Sequence, residues 1–433
     1  MPPGSDWDTA RLVAADKKHV WHPFTFMGDW CAPEHQPLVL VRGEGALLWD
    51  SEGREYLDGN SSIWTNIHGH NHPHINAAIR RQLEQVAHTS FLGFTNPAAI
   101  ELAEAVVGLF PPHTLTRVFF SDDGSTGMEV ALRIVEQSWR LLGESRTRFV
   151  AFRGGYHGDT AGAAALGAAA MFNGPSGWAF PATKVSRVEE LEAFSAADAA
   201  GVAAVVIEPL IQGAAGMRLW PKGTLAAVRQ WCDRTGTLLI ADEVMTGFGR
   251  TGRMFACEHE GVLPDLMILG KALTGGYVPL SLTVISETIM EPFLRLPRDK
   301  TTLFYGHSYS GNAIGCAAAK ASLDLFTSEQ TLTSLRPKIE LLTRELAALQ
   351  QLPQVHEVRQ CGFIAGIEIA TEGYRPQHPV AGLGAAICLA ARKHGLLTRP
   401  IRNTIVLMPP YCITEAQLQQ AVAAIRLAII EVC

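Results

Sequence analysis

The chain has 433 residues, 47% of them hydrophobic, with 36 basic against 42 acidic side chains and a net charge of −6. That composition can bury a core large enough to divide into more than one domain, and it excludes a disordered or fibrous chain. There is no basic run to follow a phosphate backbone and no stretch of about 18 apolar residues, so neither nucleic acid nor a membrane is an expected partner.

The N-terminal "MPPGSDWDTARLVAADKK" lacks the apolar centre of a signal peptide, and the expectation is a cytoplasmic protein. In "IHGHNHPHI" the histidines at 68, 70, 72 and 74 alternate, but Gly69 and Pro73 interrupt a strand and no carboxylate or thiol ligand accompanies them, so no metal site is expected. The eight cysteines are scattered without a CxxC pair, which suits reduced thiols.

From about residue 75 to 290, apolar runs alternate with helical patterns: "RVFFSDDG", "RFVAFRGG", "AAVVIEPL", "TLLIADEV", "DLMILGKA". Runs that are apolar throughout and separated by helices predict a parallel sheet covered on both faces. The first leads through "DDGST" into "GMEVALRIVEQSWRLLG", whose apolar residues recur at helical spacing. After "GHSYSGN" the chain is helical through "AIGCAAAKASLDLF" and then alternates again, which predicts a second, smaller α+β domain joined by the N-terminal segment. The boundaries are 1–74 for that segment, 75–311 for the large domain and 312–433 for the C-terminal small domain.

Catalytic groups in open parallel sheets gather at the carboxyl ends of the strands. There "TLLIADEV" delivers Asp242 and Glu243, and "DLMILGKA" delivers Lys271. A lysine in an apolar site loses proton affinity, and its neutral amine forms Schiff bases with aldehydes. Pyridoxal phosphate is the obvious aldehyde, and it requires a lysine, a carboxylate for its ring nitrogen and a phosphate site. Asp242 can supply the second. Gly124 and Ser125 at a helix N-terminus can supply the third, and Tyr156 of "RGGYHGDT" an aromatic face. Each signal also has an ordinary reading: Lys271 as a snorkelling surface lysine, Asp242 as a cap or ion-pair partner, Gly124 and Ser125 as a capped helix start, Tyr156 as core.

With these residues assembled, the chain resembles the class III, fold-type I pyridoxal-phosphate aminotransferases, through "ADEVMTGFGRTGRMFACEHEGVLPDLMILGKALTGGYVPL". The resemblance implies an α/β fold with a mostly parallel sheet in the large domain and a smaller α+β domain built from both termini. "WHPFTFM", "DGNSSIWTNIHGHNHP", "GYHGDT", "GHSYSGN" and "TRPIRNTIVLMPPY" are similar to the branch that serves biotin biosynthesis. That branch aminates 8-amino-7-oxononanoate, with S-adenosylmethionine as the default amino donor. The resemblance further implies Lys271 as the catalytic Schiff-base lysine, Asp242 on the ring nitrogen, Tyr156 near the ring and Gly124 with Ser125 on the phosphate. It implies a homodimer with shared active sites, in which His307 and Ser308 of one subunit complete the phosphate site of the other.

Substrate contacts are expected from Phe24, Ile63, Trp64, Tyr156, Asp159, Gly306 and Arg399, with Arg399 on the acceptor carboxylate and Asp159 facing its amine. Two positions depart from the usual pattern: Phe24 where members using S-adenosylmethionine usually carry tyrosine, and Ile63 beside Trp64 where they carry two tryptophans. The Phe24 pattern and "GHSY" resemble a branch that takes lysine as donor. An aminomutase or a dialkylglycine-type decarboxylase would share the cofactor, and both are expected to lack the pairing of Asp159 with Arg399.

Overall fold

The computed structural model describes residues 7–167, 182–295, 297–370 and 382–433. Its centre is a seven-stranded sheet of β1 (Leu115–Ser121), β2 (Arg148–Phe152), β3 (Ala182–Val185), β4 (Val202–Ile207), β5 (Leu238–Asp242), β6 (Leu266–Leu269) and β7 (Ser281–Ser286). The spatial order is β1-β7-β6-β5-β4-β2-β3. All six residues of β4 are buried, as the unbroken apolar run requires of a strand covered on both faces. Side-chain alternation divides the core accordingly. Val150 and Phe152 join one cluster, while Phe149 and Ala151 join another with Met128, Val130 and Val135 of helix α1 (Gly124–Leu141). Trp139 of that helix donates its indole N–H to the carbonyl of Ala203 in β4, at 2.9 Å.

Strands β2 to β6 are parallel, whereas β7 runs antiparallel to both its neighbours, β6 and β1. Its direction follows from the connection. A parallel return needs a crossover of a dozen or more residues, usually helical, and residues 270–280 provide only the 3₁₀ turn Lys271–Thr274.

Two smaller sheets flank this unit. Val355–Cys361, Ile364–Ile369, Thr404–Leu407 and Pro400–Ile401 form an antiparallel set. Leu40–Glu44, Leu47–Asp50 and Glu55–Asp58 form a meander that Leu396–Leu397 joins in parallel, so N- and C-terminal segments share one sheet. Among the described residues no helix is long and apolar enough to cross a membrane.

Candidate active site

Asp242 closes β5 opposite Ile268 of β6, so both strands end at one edge and Lys271, three residues past Ile268, emerges beside Asp242. Lys271 opens its 3₁₀ turn at φ +42°, a left-handed backbone that an L residue occupies only under constraint. Its Nζ stands 5.2 Å from the centre of the Trp64 ring. Burial lowers its proton affinity, and the carboxylates of Asp242 and Glu208 partly restore it. Buried Asp242 has Oδ2 at 2.7 Å from His157 Nδ1, and its Oδ1 accepts the backbone N–H of Val244 at 3.2 Å. Glu243, the next residue, turns into the core, where the Thr246 hydroxyl and the backbone N–H of Cys257 donate to it.

Glu208 follows β4 and is buried beside the same edge. It accepts the N–H groups of Tyr156 and Gly213, both at 2.9 Å. Burial raises it to about 7, the charge of Asp242 adds to that, and His157 with the two N–H donors opposes it.

Helix α1 begins at the capping residue Asp123. A reciprocal pair of bonds with Thr126 satisfies the N–H groups of both. Of the four N–H groups that a helix start leaves without intrahelical acceptors, those of Gly124 and Ser125 then remain for an anion. Gly124 is tight against Val244, whose Cγ1 would stand 2.9 Å from a Cβ there. Ser125 Oγ accepts the N–H of Asp159 at 3.2 Å, and Thr160 Oγ1 donates to the Ser125 carbonyl at 3.3 Å.

These groups converge on a cavity of about 560 Å³. Phe24, Ile63, Trp64, Gly124, Ser125, Tyr156, Asp242, Lys271 and Arg399 all line it, and Met245, Leu280, Ile401 and Val406 add apolar wall. Arg399 sits in the turn between Leu396–Leu397 and Pro400–Ile401, where its carbonyl accepts the N–H of Val406 and buried Thr398 donates to the Val406 carbonyl. It is exposed, and among the described residues no carboxylate pairs with it. A larger cleft of about 750 Å³ lies between α1 and residues 299–305. It presents Arg133, Arg140 and Lys300 alongside Glu136 and Asp299, mixed surface charges with no buried acid or amine among them.

Four expected residues do not line the cavity of their own chain. Asp159 is exposed and its Oδ2 accepts the Tyr156 hydroxyl at 2.7 Å. Gly306, His307 and Ser308 lie nearby but outside. His307 Nδ1 is 3.3 Å from Oδ2 of Asp122, and the Ser308 carbonyl accepts from His88 at 2.8 Å. Conversely, Glu208 and His157 line the cavity without having been singled out in the sequence. Glu208 carries the same signal as Asp242, a carboxylate directly after a fully apolar run. His157 lies inside "GYHGDT".

The donor set fits a phosphorylated, aldehyde-bearing, protonatable ring. An amine of lowered proton affinity can bond the aldehyde, a buried carboxylate can hold a ring proton, and a helix N-terminus with a hydroxyl can take the phosphate.

Comparison with known proteins agrees with that chemistry. A family model described as aminotransferase class-III matches residues 30–429. The adenosylmethionine-8-amino-7-oxononanoate aminotransferase of Nitratidesulfovibrio vulgaris is 45% identical over 456 residues, covering 100% of this chain and 84% of its own. That of Geobacter sulfurreducens is 43% identical, covering 95% of this chain and 96% of its own. Among solved structures, the enzyme of that name from Methanocaldococcus jannaschii superposes with a TM-score of 0.94 at 37% identity, over 98% of this chain and 100% of the other. A PLP-bound amine transaminase from an uncultivated Pseudomonas species gives 0.89 at 32% identity, over 96% and 99%.

Proposed function

Because the chain belongs to the class III aminotransferases, pyridoxal 5′-phosphate enzymes of fold-type I, we propose that its cavity transfers an amino group to the ketone of 8-amino-7-oxononanoate in biotin biosynthesis. One observation carries the reading: Lys271, Asp242 and Arg399 line a single cavity. Amine, buried acid and exposed cation then meet one substrate.

Bound pyridoxal phosphate supplies the electron sink for charge developing at the substrate carbon that loses its proton. Lys271 is the residue that would hold the cofactor aldehyde through Nζ, and as a free amine it would move the proton of the donor α-carbon at the same atom. Burial suits it to this work, since the amine must shed its own proton first. Asp242, fixed by His157 and the Val244 N–H, holds the proton on the ring nitrogen. The N–H groups of Gly124 and Ser125 and the Ser125 hydroxyl would hold the phosphate, and Tyr156 would offer its aromatic face to the ring. Arg399 takes the acceptor carboxylate through a two-pronged contact, and Asp159, just outside the cavity but bonded to the hydroxyl of Tyr156, which lines it, is assigned to the amine. Trp64 with the apolar wall holds the chain between them.

The working unit in this reading is a homodimer in which His307 and Ser308 of a second copy complete the phosphate site. Supporting it, both residues lie outside the cavity of their own chain, and neighbouring Phe304 and Tyr309 are 81% and 61% exposed. The reading includes a cytoplasmic location.

S-adenosylmethionine is the default donor. Phe24 and Ile63, which both line the cavity, favour a second reading with lysine in that role. Mixing the holoenzyme separately with each compound and following the cofactor's visible absorption band distinguishes them, and the competent donor must then support amination of 8-amino-7-oxononanoate. If neither compound bleaches the band, or the acceptor is not aminated, the reading fails.

A further inference from the structure

Ser61, Ser62, Ile63 and Trp64 have φ of +45°, +50°, +75° and +68°. Four successive residues, none of them glycine, occupy the left-handed region. The Trp64 N–H donates to the Asn60 carbonyl at 2.8 Å and the Thr65 N–H to the Ser61 carbonyl at 3.0 Å. The bonds have the i to i−4 spacing of an α-helix, so the segment is one left-handed helical turn. L residues enter that region singly, because Cβ crowds the following carbonyl oxygen, and a β-branched residue such as Ile63 fits it worst. The turn therefore needs external restraint.

Asp58 supplies it. Its buried carboxylate accepts the N–H groups of Asn60 and Ser62 on Oδ1, at 3.2 and 3.1 Å, and the Ser62 hydroxyl on Oδ2, at 3.1 Å, with His70 Nε2 2.9 Å from the same oxygen. Ser61 Oγ donates to the Met408 carbonyl at 2.7 Å, and the Trp64 indole N–H donates to Asn60 Oδ1 at 2.9 Å. What the turn carries is cavity wall: Asn60, Ile63, Trp64 and Thr65 all line the site.

We propose that Ser61–Trp64, held by Asp58, is a strained left-handed positioning turn that fixes Trp64 against Lys271 and Ile63 in the cavity wall, and so sets the fit of the amino donor. Relaxation to a right-handed or extended backbone would redirect both side chains, since side-chain direction follows the backbone. The kinetic consequence rests on the aminotransferase reading of the cavity; the strain does not.

The test compares Ser62→Ala with Ser62→Gly. Ser62 is exposed and does not line the cavity, and both variants lose the same hydroxyl bond to Asp58. At an ordinary position alanine is the more stabilising of the two, because glycine loses more chain entropy on folding. At φ +50° the order reverses: the Ser62→Gly holoenzyme is expected to have the higher urea midpoint. It is also expected to show a several-fold higher KM for whichever donor the wild type accepts, with kcat little changed, because a loosened wall weakens binding without touching the reacting atoms. If Ser62→Ala equals or exceeds Ser62→Gly in stability, the strain is refuted. A reversed stability order with equal KM values refutes the positioning role. Inactivity of the wild type with both donors would sink the functional reading instead, leaving the stability order as the test of strain.

Discussion

His157 Nδ1 lies 2.7 Å from Asp242 Oδ2, and both residues are buried at the carboxyl edge of the sheet. With Val244 N–H on its other oxygen, Asp242 is fixed in direction before any ligand arrives. An amide at 242 keeps this shape but cannot hold a proton on a ring nitrogen. Asp242→Asn is therefore expected to lower kcat by about 10²-fold or more, while His157→Gln, which can still donate to the carboxylate, loses far less. Lys271→Ala should abolish turnover and the cofactor's visible band together. Steady-state rates and absorption spectra check all three, and full activity in Lys271→Ala would contradict the scheme.

Glu208 gives a pH dependence of stability with a definite sign. Burial raises its folded pKa from 4.5 to about 7. Between those values the folded protein retains a proton that the unfolded chain has released. Fewer protons on the unfolded state mean that stability falls as pH rises through this window and levels off above it. The full effect is on the order of 3 kcal/mol. Urea unfolding of cofactor-stripped protein at pH 5 and pH 8 should show this loss in wild type and not in Glu208→Gln. The change with pH is the measure, because glutamine also gives up one of the two N–H contacts.

Gly158 and Ser125 are in contact at a second tight point. A Cβ at 158 would stand 2.4 Å from Ser125 Oγ and 2.6 Å from Ser125 Cα, and φ there is +122°. The obstacle is backbone, which cannot rotate aside. Gly158→Ala should displace the first turn of α1 and, if the phosphate is held there as proposed, reduce cofactor affinity by about tenfold or more. Titrating stripped protein with cofactor measures it, and an unchanged affinity would remove Ser125 from the phosphate site.

Arg399 faces the cavity with no partner carboxylate among the described residues. A lysine there keeps the charge but not the planar fork. Both Arg399→Lys and Arg399→Leu are expected to raise KM for the acceptor, the leucine variant by about 10²-fold in kcat/KM. Equal kinetics for wild type and Arg399→Leu would place the carboxylate contact elsewhere.

Local signals in the sequence carried much of this site and little of its long-range geometry. Asp242 and Lys271 are legible because an ionisable residue directly after a fully apolar run must be partnered or functional, and Glu208 was equally legible by that rule. The direction of β7 was not, because an apolar run reports burial on two faces and is silent on strand orientation, which the short 270–280 connection decides. A small domain built from both termini was legible, but the particular pairing of Leu57 with Leu396 that joins them was not. The left-handed turn was hidden for a different reason. "SSIW" contains neither glycine nor asparagine, the residues that normally announce positive φ, so its conformation is imposed by Asp58 and visible only in three dimensions.

Glu129 bears on the same loop as Gly158 from below. It lies one turn past Ser125 on α1, and its Oε2 accepts the Thr160 hydroxyl at 2.7 Å and the N–H groups of Gly162 and Ala163 at 2.9 and 3.2 Å. Those N–H groups belong to the start of α2 (Ala161–Leu166), where a negative charge is favourable. The loop from Tyr156 to Thr160 is thus fastened to α1 at two heights, by Ser125 above and Glu129 beneath. Removing one fastening loosens Tyr156 without changing any group that touches substrate. Glu129→Ala should therefore cost about 1 kcal/mol of stability, as for a lost helix cap, and weaken cofactor binding, whereas Glu129→Gln, which keeps one acceptor oxygen in place, should restore most of both. Cofactor titration of the two variants decides the matter: equal affinities in alanine and wild type would mean that Ser125 alone holds the loop.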